Sequence, residues 1–307
     1  MNKRVLGEKI RKIRKEQKLS MEALCGDETD LSVRHLSRIE KGEALPNLAT
    51  LGFLAKRFSL PISVLIDDTN AFLPREYLQL REKIFKSQSV YQNTDRVNKK
   101  EAWFDEVYEK YFEMLPEEEQ LTIDLKRTIM DVNISKNVDF ALCILEEYFE
   151  QAHTKKYFSL NDLLVLHLYF IYIRFKPYRN ELFDKILRKV IESIEYSVDL
   201  ELLTIERVLS SVGSFYWKHK KYELLAPLIQ AADEICEKNY NMNSRPVWLF
   251  VEGKYQLFSE KNQELAKEKY KQAARFADVL KDEVLKKLIL DTWQEDKLEF
   301  EKINERL

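Results

Sequence analysis

From Pro74 onward the sequence repeats at an interval that a stack of helix pairs satisfies. Ala141/Leu145/Tyr148, Leu182/Ile186/Lys189, Leu224/Leu228/Ala231 and Ala266/Tyr270/Ala273 occupy equivalent places, their first members 41, 42 and 42 positions apart. Each trio keeps i, i+4, i+7 spacing, the signature of one helix face. A unit of this size holds two helices and cannot bury its apolar face alone, so neighbouring units must stack into an α-solenoid. Little in the chain opposes this: 6 Gly and 7 Pro in 307 residues leave few places for strands and tight turns. Helical patterns fall at about 74–89, 95–114, 117–133, 138–153, 160–176, 180–195, 200–219, 222–238, 245–259, 262–279 and 281–306, with short loops between them. The fold class is all-α.

Residues 1–66 have a different rhythm. Leu6, Ile10 and Ile13 form one apolar stripe, and Ser20 is placed to cap a second helix with Ala23 and Leu24. A third helix carries Val33, Leu36 and Ile39 inward and stops at Gly42. Asn47 caps a fourth, and Pro61 opens a fifth. This segment has 13 Lys and Arg against 8 Asp and Glu, whereas the remainder has 37 against 44. A basic head on an acidic body points to a head that meets phosphate. The expected division is a helix-turn-helix domain at 1–66, a linker at 67–73 (Asp-Asp-Thr-Asn-Ala-Phe-Leu), a tetratricopeptide-like repeat domain at 74–280, and a capping and dimerisation helix at 281–307. The last helix keeps Leu285, Leu288, Trp293, Leu298, Phe300 and Ile303 along its length, more apolar residues than a polar end-cap needs.

Other classes find no support in the residues. There is no Gly-rich phosphate loop, nucleophile elbow or metal-ligand spacing among His35, His153, His167, His219 and the cysteines, so neither enzyme nor cofactor or metal protein is expected. No apolar stretch reaches the ~20 residues of a membrane span. The odd, widely spaced Cys25, Cys143 and Cys236 suit buried, reduced thiols in a cytoplasm.

In the repeats, the first helix of each pair is rich in aromatic residues: Tyr169, Tyr172 and Phe175; Phe215, Tyr216 and Trp217; Trp248, Phe250 and Tyr255. Most of these belong to the core; Tyr172, Phe215 and Trp248 are candidates to line a groove for an apolar peptide. Arg174 lies in one such run and is equally suited to a peptide carboxylate or to a snorkelling position. Arg96, Lys99 and Lys100 form a basic run that is either a solvated face or a carboxylate site at the groove mouth.

The segments Leu19-Ser20-Met21-Glu22-Ala23-Leu24, Leu36-Ser37-Arg38-Ile39-Glu40-Lys41-Gly42 and Pro46-Asn47-Leu48-Ala49-Thr50-Leu51 resemble an Xre/Cro-like repressor head, with a longer turn before the third helix. That resemblance implies a third helix in the major groove, with Ser32, Arg34, His35, Ser37 and Arg38 on its outer side and Lys41, Asn47 and Thr50 near phosphates. Arg34 is the favoured base reader, and Arg14 with Glu40 matches a structural ion pair. Joined to degenerate repeats, and with Leu24-Cys25, the acidic turn, Val33-Arg34 and Pro116-Glu117-Glu118-Glu119 in place, the chain resembles the ComR-like, Rgg/RRNPP class of peptide-pheromone-sensing regulators of streptococci. The resemblance implies an activator that takes up a short reimported peptide, dimerises and binds double-stranded promoter DNA to switch on competence genes. It also implies a ligand-free latch of Arg34 against Glu117, Glu118 and Glu119. An Rgg-type repressor released from DNA by its peptide, and a repeat adaptor without enzymatic activity, are the alternatives that the residues leave open.

Overall fold

A computed structural model of the chain describes residues 3–27, 29–66, 73–87, 93–175, 181–240 and 242–304, and among these no strand occurs. The expected linker at 67–73 falls, except for its last residue, outside the described residues. The chain forms two compact units, Met1–Gln79 and Leu80–Leu307. The division falls inside a helix, Arg75–Lys86.

In the first unit, α1 (Lys3–Glu16), α2 (Met21–Cys25), α3 (Val33–Glu40), α4 (Leu48–Phe58) and α5 (Ile62–Ile66) surround one core. Leu6, Ile10, Leu24, Leu36, Ile39, Leu54 and Leu65 are fully excluded from solvent there. Three caps set the helix starts as their side chains dictate: Ser20 accepts from the Ala23 N–H, Ser32 from His35 and Asn47 from Thr50. The long turn before α3 is held by Leu31, which is buried in the same core. Gly42, at φ +73°, ends α3 in the left-handed region, and a Cβ there would stand 2.7 Å from Arg4 Cα. Gly7 lets α1 lie against the end of α3, because a Cβ would come within 2.1 Å of the Ile39 carbonyl oxygen.

The chain continues with α6 (Arg75–Lys86), which spans the division, and the second unit with α7 (Thr94–Lys110), α8 (Glu117–Ser135), α9 (Asp139–Thr154), α10 (Leu160–Ile173), α11 (Glu181–Glu192), α12 (Asp199–Lys218), α13 (Ala226–Asn239), α14 (Arg245–Phe258), α15 (Gln263–Val279) and α16 (Glu283–Asn304). Every helical pattern read from the sequence has its helix, shortened where the chain tightens into 3-10 turns at Phe112–Met114, Ser193–Glu195 and Tyr222–Leu224. The repeated trios lie on α9, on α11, at α13 and on α15. Ala141, Ile186, Leu228, Ala231, Ala266, Tyr270 and Ala273 are all buried. Small residues on α15 let it lie close along α14.

A polar ladder climbs the row of first helices at the repeat interval. Thr122 of α8 donates to Asn161 of α10 at 2.6 Å, and His167 of α10 meets the Ser211 hydroxyl of α12 at 3.1 Å. Trp248 of α14 donates to Glu206 of α12 at 3.0 Å, and Lys254 of α14 pairs with Asp296 of α16. These partners are 39, 44, 42 and 42 residues apart. The last pair gives α16 its place: it packs where the first helix of a fifth unit belongs. Leu285, Ile289 and Phe300 are buried against α14 and α15, whereas Leu288, Leu290 and Leu298 stay exposed.

Candidate functional site

The head presents α3 outward. Leu36 and Ile39 anchor the helix in the core, which turns Arg34 and Arg38 to solvent, with Lys41 exposed just beyond its end. His35 and Ser37 are half-buried beside them. The helix is held rigidly from behind. Arg14 donates to both oxygens of Glu40, at 2.6 and 2.8 Å, and to the Leu19 carbonyl at 2.8 Å, all nearly out of water. The hydrogen bond to Glu40 raises the Arg14 pKa, so the guanidinium stays charged. Arg57 donates to the Leu24 carbonyl at 2.9 Å and fixes the end of α2. Ser32 and Asn47 spend a side-chain oxygen on helix caps. Thr50, expected near phosphate, is buried with its hydroxyl donated to Asn47 at 3.0 Å.

The repeat unit holds a buried basic cluster. Lys100 on α7 and Lys126 on α8 are only 5% and 8% exposed, and neither has an ion-pair partner among the described residues. Burial and the nearby Arg207 push the Lys100 ammonium down to about 7. Burial, then Lys100 and Arg207, push Lys126 well below its ordinary range. Lys126 lies 4.5 Å over the Phe85 ring, and Arg207 of α12 donates to the Ser87 carbonyl at 3.3 Å. His167, also buried, keeps one ring nitrogen on Ser211 and leaves Nδ1 without a partner; desolvation and the same cations hold it neutral. Tyr169 has a buried hydroxyl with no partner. Beside the cluster opens a cleft of about 220 Å³ lined by Ser87, Arg96, Lys99 and Trp103. A cavity lined by Arg96 and Lys99, beside two buried lysines, suits an anionic, partly apolar ligand.

Three adjacent basic residues thus have three fates. Lys100 enters the cluster. Lys99 stays exposed, 5.7 Å over the Trp103 ring. Arg96 gives two hydrogen bonds to the buried Asp282, at 2.7 and 3.1 Å, which ties α7 to the start of α16. Arg174 is half-buried and donates to Asn133 at 2.6 Å, with Tyr172 half-buried nearby in sequence. Phe215 and Trp248 do not line a groove. They are 3% and 1% exposed, one packed between Phe183 and His219, the other bonded to Glu206. Glu117 and Glu118 are exposed on the first turn of α8, but Glu119 is buried and paired with Arg81 at 2.9 Å. Cys25 and Cys236 are buried as expected of them; Cys143 is exposed. Among the described residues no group of His, Cys, Asp or Glu is arranged to hold a metal, and no helix is long and apolar enough to cross a membrane.

Lys126, His167 and Arg207 were missed in the sequence reading. A signal existed for Lys126, which stands in register with Thr122, Ile129, Met130 and Asn133 on the buried stripe of α8.

Residues 74–293 match the ComR tetratricopeptide family model, and residues 10–65 match a helix-turn-helix model. The chain belongs to the ComR tetratricopeptide family. Among solved structures it is similar to the ComR of S. thermophilus in complex with DNA and its signalling peptide ComS, at 33% identity and a TM-score of 0.76, covering 95% of this chain and 99% of that one. It is also similar to the competence regulator ComR of Streptococcus vestibularis with its cognate peptide XIP, at 31% identity and a TM-score of 0.67, covering 96% and 99%. Bacillus thuringiensis PlcR, in complex with the peptide PapR7 and DNA, shares the fold at 18% identity and a TM-score of 0.67, covering 94% and 99%. No curated protein matches the chain.

Proposed function

We propose that this ComR-family chain is a transcriptional activator of competence genes that binds double-stranded promoter DNA through α3 once a short reimported peptide occupies its repeat unit. The observation that carries the reading is the pair of unpaired, buried lysines, Lys100 and Lys126, beside an open cleft. Buried ammoniums without an anion are costly, and a bound carboxylate relieves that cost. The peptide carboxylate is assigned to Lys100 and Lys126, supported by Arg207, and not to Arg96, which Asp282 already engages. Arg34 and Arg38 contact base edges or phosphates, and Lys41 contacts phosphate. The ligand-bound form is a homodimer on a palindromic site. The protein acts in the cytoplasm and has no enzymatic role.

The ComR structures with DNA and with signalling peptides support this reading through family membership. A latch that keeps Arg34 from DNA falls to Glu117 and Glu118, because Glu119 is committed to Arg81. The test is DNA retardation and solution mass with and without candidate peptides. A peptide-dependent dimer on DNA, lost in Arg34→Ala with unchanged circular dichroism, is expected. DNA binding that ignores every peptide would overturn the switch, and an unaffected Arg34→Ala would overturn the assignment of α3.

A further inference from the structure

The basic cluster offers more amino groups than one carboxylate can pair as ammoniums. Two lysines, on α7 and α8, are more than nine-tenths buried, and Arg207 adds a permanent charge from α12. Among the described residues the groups beside them are neutral or cationic: the Phe85 ring from α6, the Ser87 carbonyl, His167 and Ser211 from α10 and α12, and Arg174 near His167. Several acids of α7 and α8 are engaged elsewhere, and Glu117 and Glu118 are exposed to solvent. Asp124 accepts from Tyr108 at 2.7 Å, and Asp131 and Glu101 approach Arg127 at 3.2 and 4.0 Å. Residues 124 and 131 are seven apart and share a helix face, whereas Lys126 points with Thr122, Ile129 and Asn133 to the interior. Among the described residues no acid therefore answers the two ammoniums, and the cleft at Ser87, Arg96, Lys99 and Trp103 adds the exposed Lys99 at its wall.

We infer that the ligand ends in two carboxylates, its main-chain terminus and the side chain of an Asp or Glu within its last two residues. Two buried ammoniums then meet two carboxylates, and Arg207 keeps its carbonyl partner. A terminus with one carboxylate leaves one lysine unpaired or forces it neutral. This rests on the peptide reading above and narrows it to a chemical class.

The experiment offers the full-length protein a random synthetic heptapeptide library with free C-termini and sequences the retained peptides. Enrichment of Asp and Glu at the last two positions over the unselected library is expected. Retained peptides with no such enrichment overturn this inference and leave the peptide reading standing; a protein that retains nothing overturns both. One retained peptide is then resynthesised with its terminal acid changed to the matching amide side chain. Binding to the wild type should weaken about tenfold, and in Lys126→Met the two peptides should bind within about twofold of each other. Equal weakening of both peptides by Lys126→Met, or equal binding of both by the wild type, would show that the cluster does not read a second acid. The wild-type comparison stands even if Lys126→Met does not fold.

Discussion

Replacing Lys100 with Met should make the ligand-free protein more stable, and by an amount that depends on pH. Lys100 titrates near 7 when folded against an ordinary 10.5. Between those values the unfolded chain binds the proton and the folded chain does not, so wild-type stability rises with pH through this window. The penalty is fully present below about pH 7 and gone above about pH 10.5. A gap of about 3.5 units at about 1.4 kcal/mol each puts the upper bound near 5 kcal/mol at pH 6, falling to about 2 kcal/mol at pH 9. Met keeps the unbranched stem and its packing while removing the buried charge. The comparison needs a probe confined to the repeats, and the molecule supplies one: Trp103, Trp217, Trp248 and Trp293 are its four tryptophans, all beyond residue 79. Urea unfolding followed by tryptophan fluorescence at pH 6 to 9 should show Lys100→Met more stable throughout, with an advantage that shrinks as pH rises. A variant no more stable than wild type at pH 6, or an advantage that stays constant to pH 9, would refute the argument that Lys100 is buried without an anion.

The same lysines set the pH dependence of ligand binding. An anionic ligand favours the charged ammonium and raises its pKa, so affinity for a bound peptide, measured by fluorescence anisotropy, should be greatest below pH 7 and weaken above it. Gly7→Ala drives a methyl into the Ile39 carbonyl and should cost about 2 kcal/mol or more of head stability, measured by thermal unfolding; an unchanged melting temperature would mean that α1 and α3 shift apart easily. Changing Glu117 and Glu118 together to Gln should raise DNA binding without peptide in a retardation assay, whereas Glu119→Gln should lower stability because it leaves Arg81 unpaired; no rise in the double variant would remove the latch.

The two domains, every helix of the body and the capped starts of α2 and α4 were legible in the sequence. They depend on local signals: apolar spacing, Ser20 and Asn47 before helical runs, Gly42 after one; the Ser32 cap of α3 was not read, because Ser32 was assigned to the DNA-facing side. The outward face of α3 was legible for the same reason, since Leu36 and Ile39 on one side place Arg34 and Arg38 on the other. The period near 42 also announced that residues one repeat apart would meet, though not which polar pairs would form the ladder.

What tertiary structure alone decided is the fate of individual side chains in the body. Arg96, Lys99 and Lys100 are neighbours in sequence, yet one turns to Asp282 almost two hundred residues away, one to solvent and one to a buried cluster. Periodicity assigns a residue to a face of its helix, but it does not say what the other helices bring to that face. Lys126, His167 and Arg207 come from three helices, and only the stacking of the units brings them together, with no acid beside them among the described residues. Phe215 and Trp248 show the converse: aromatic composition marked them for a groove, while the packing of α12 between its neighbours enclosed them in the core.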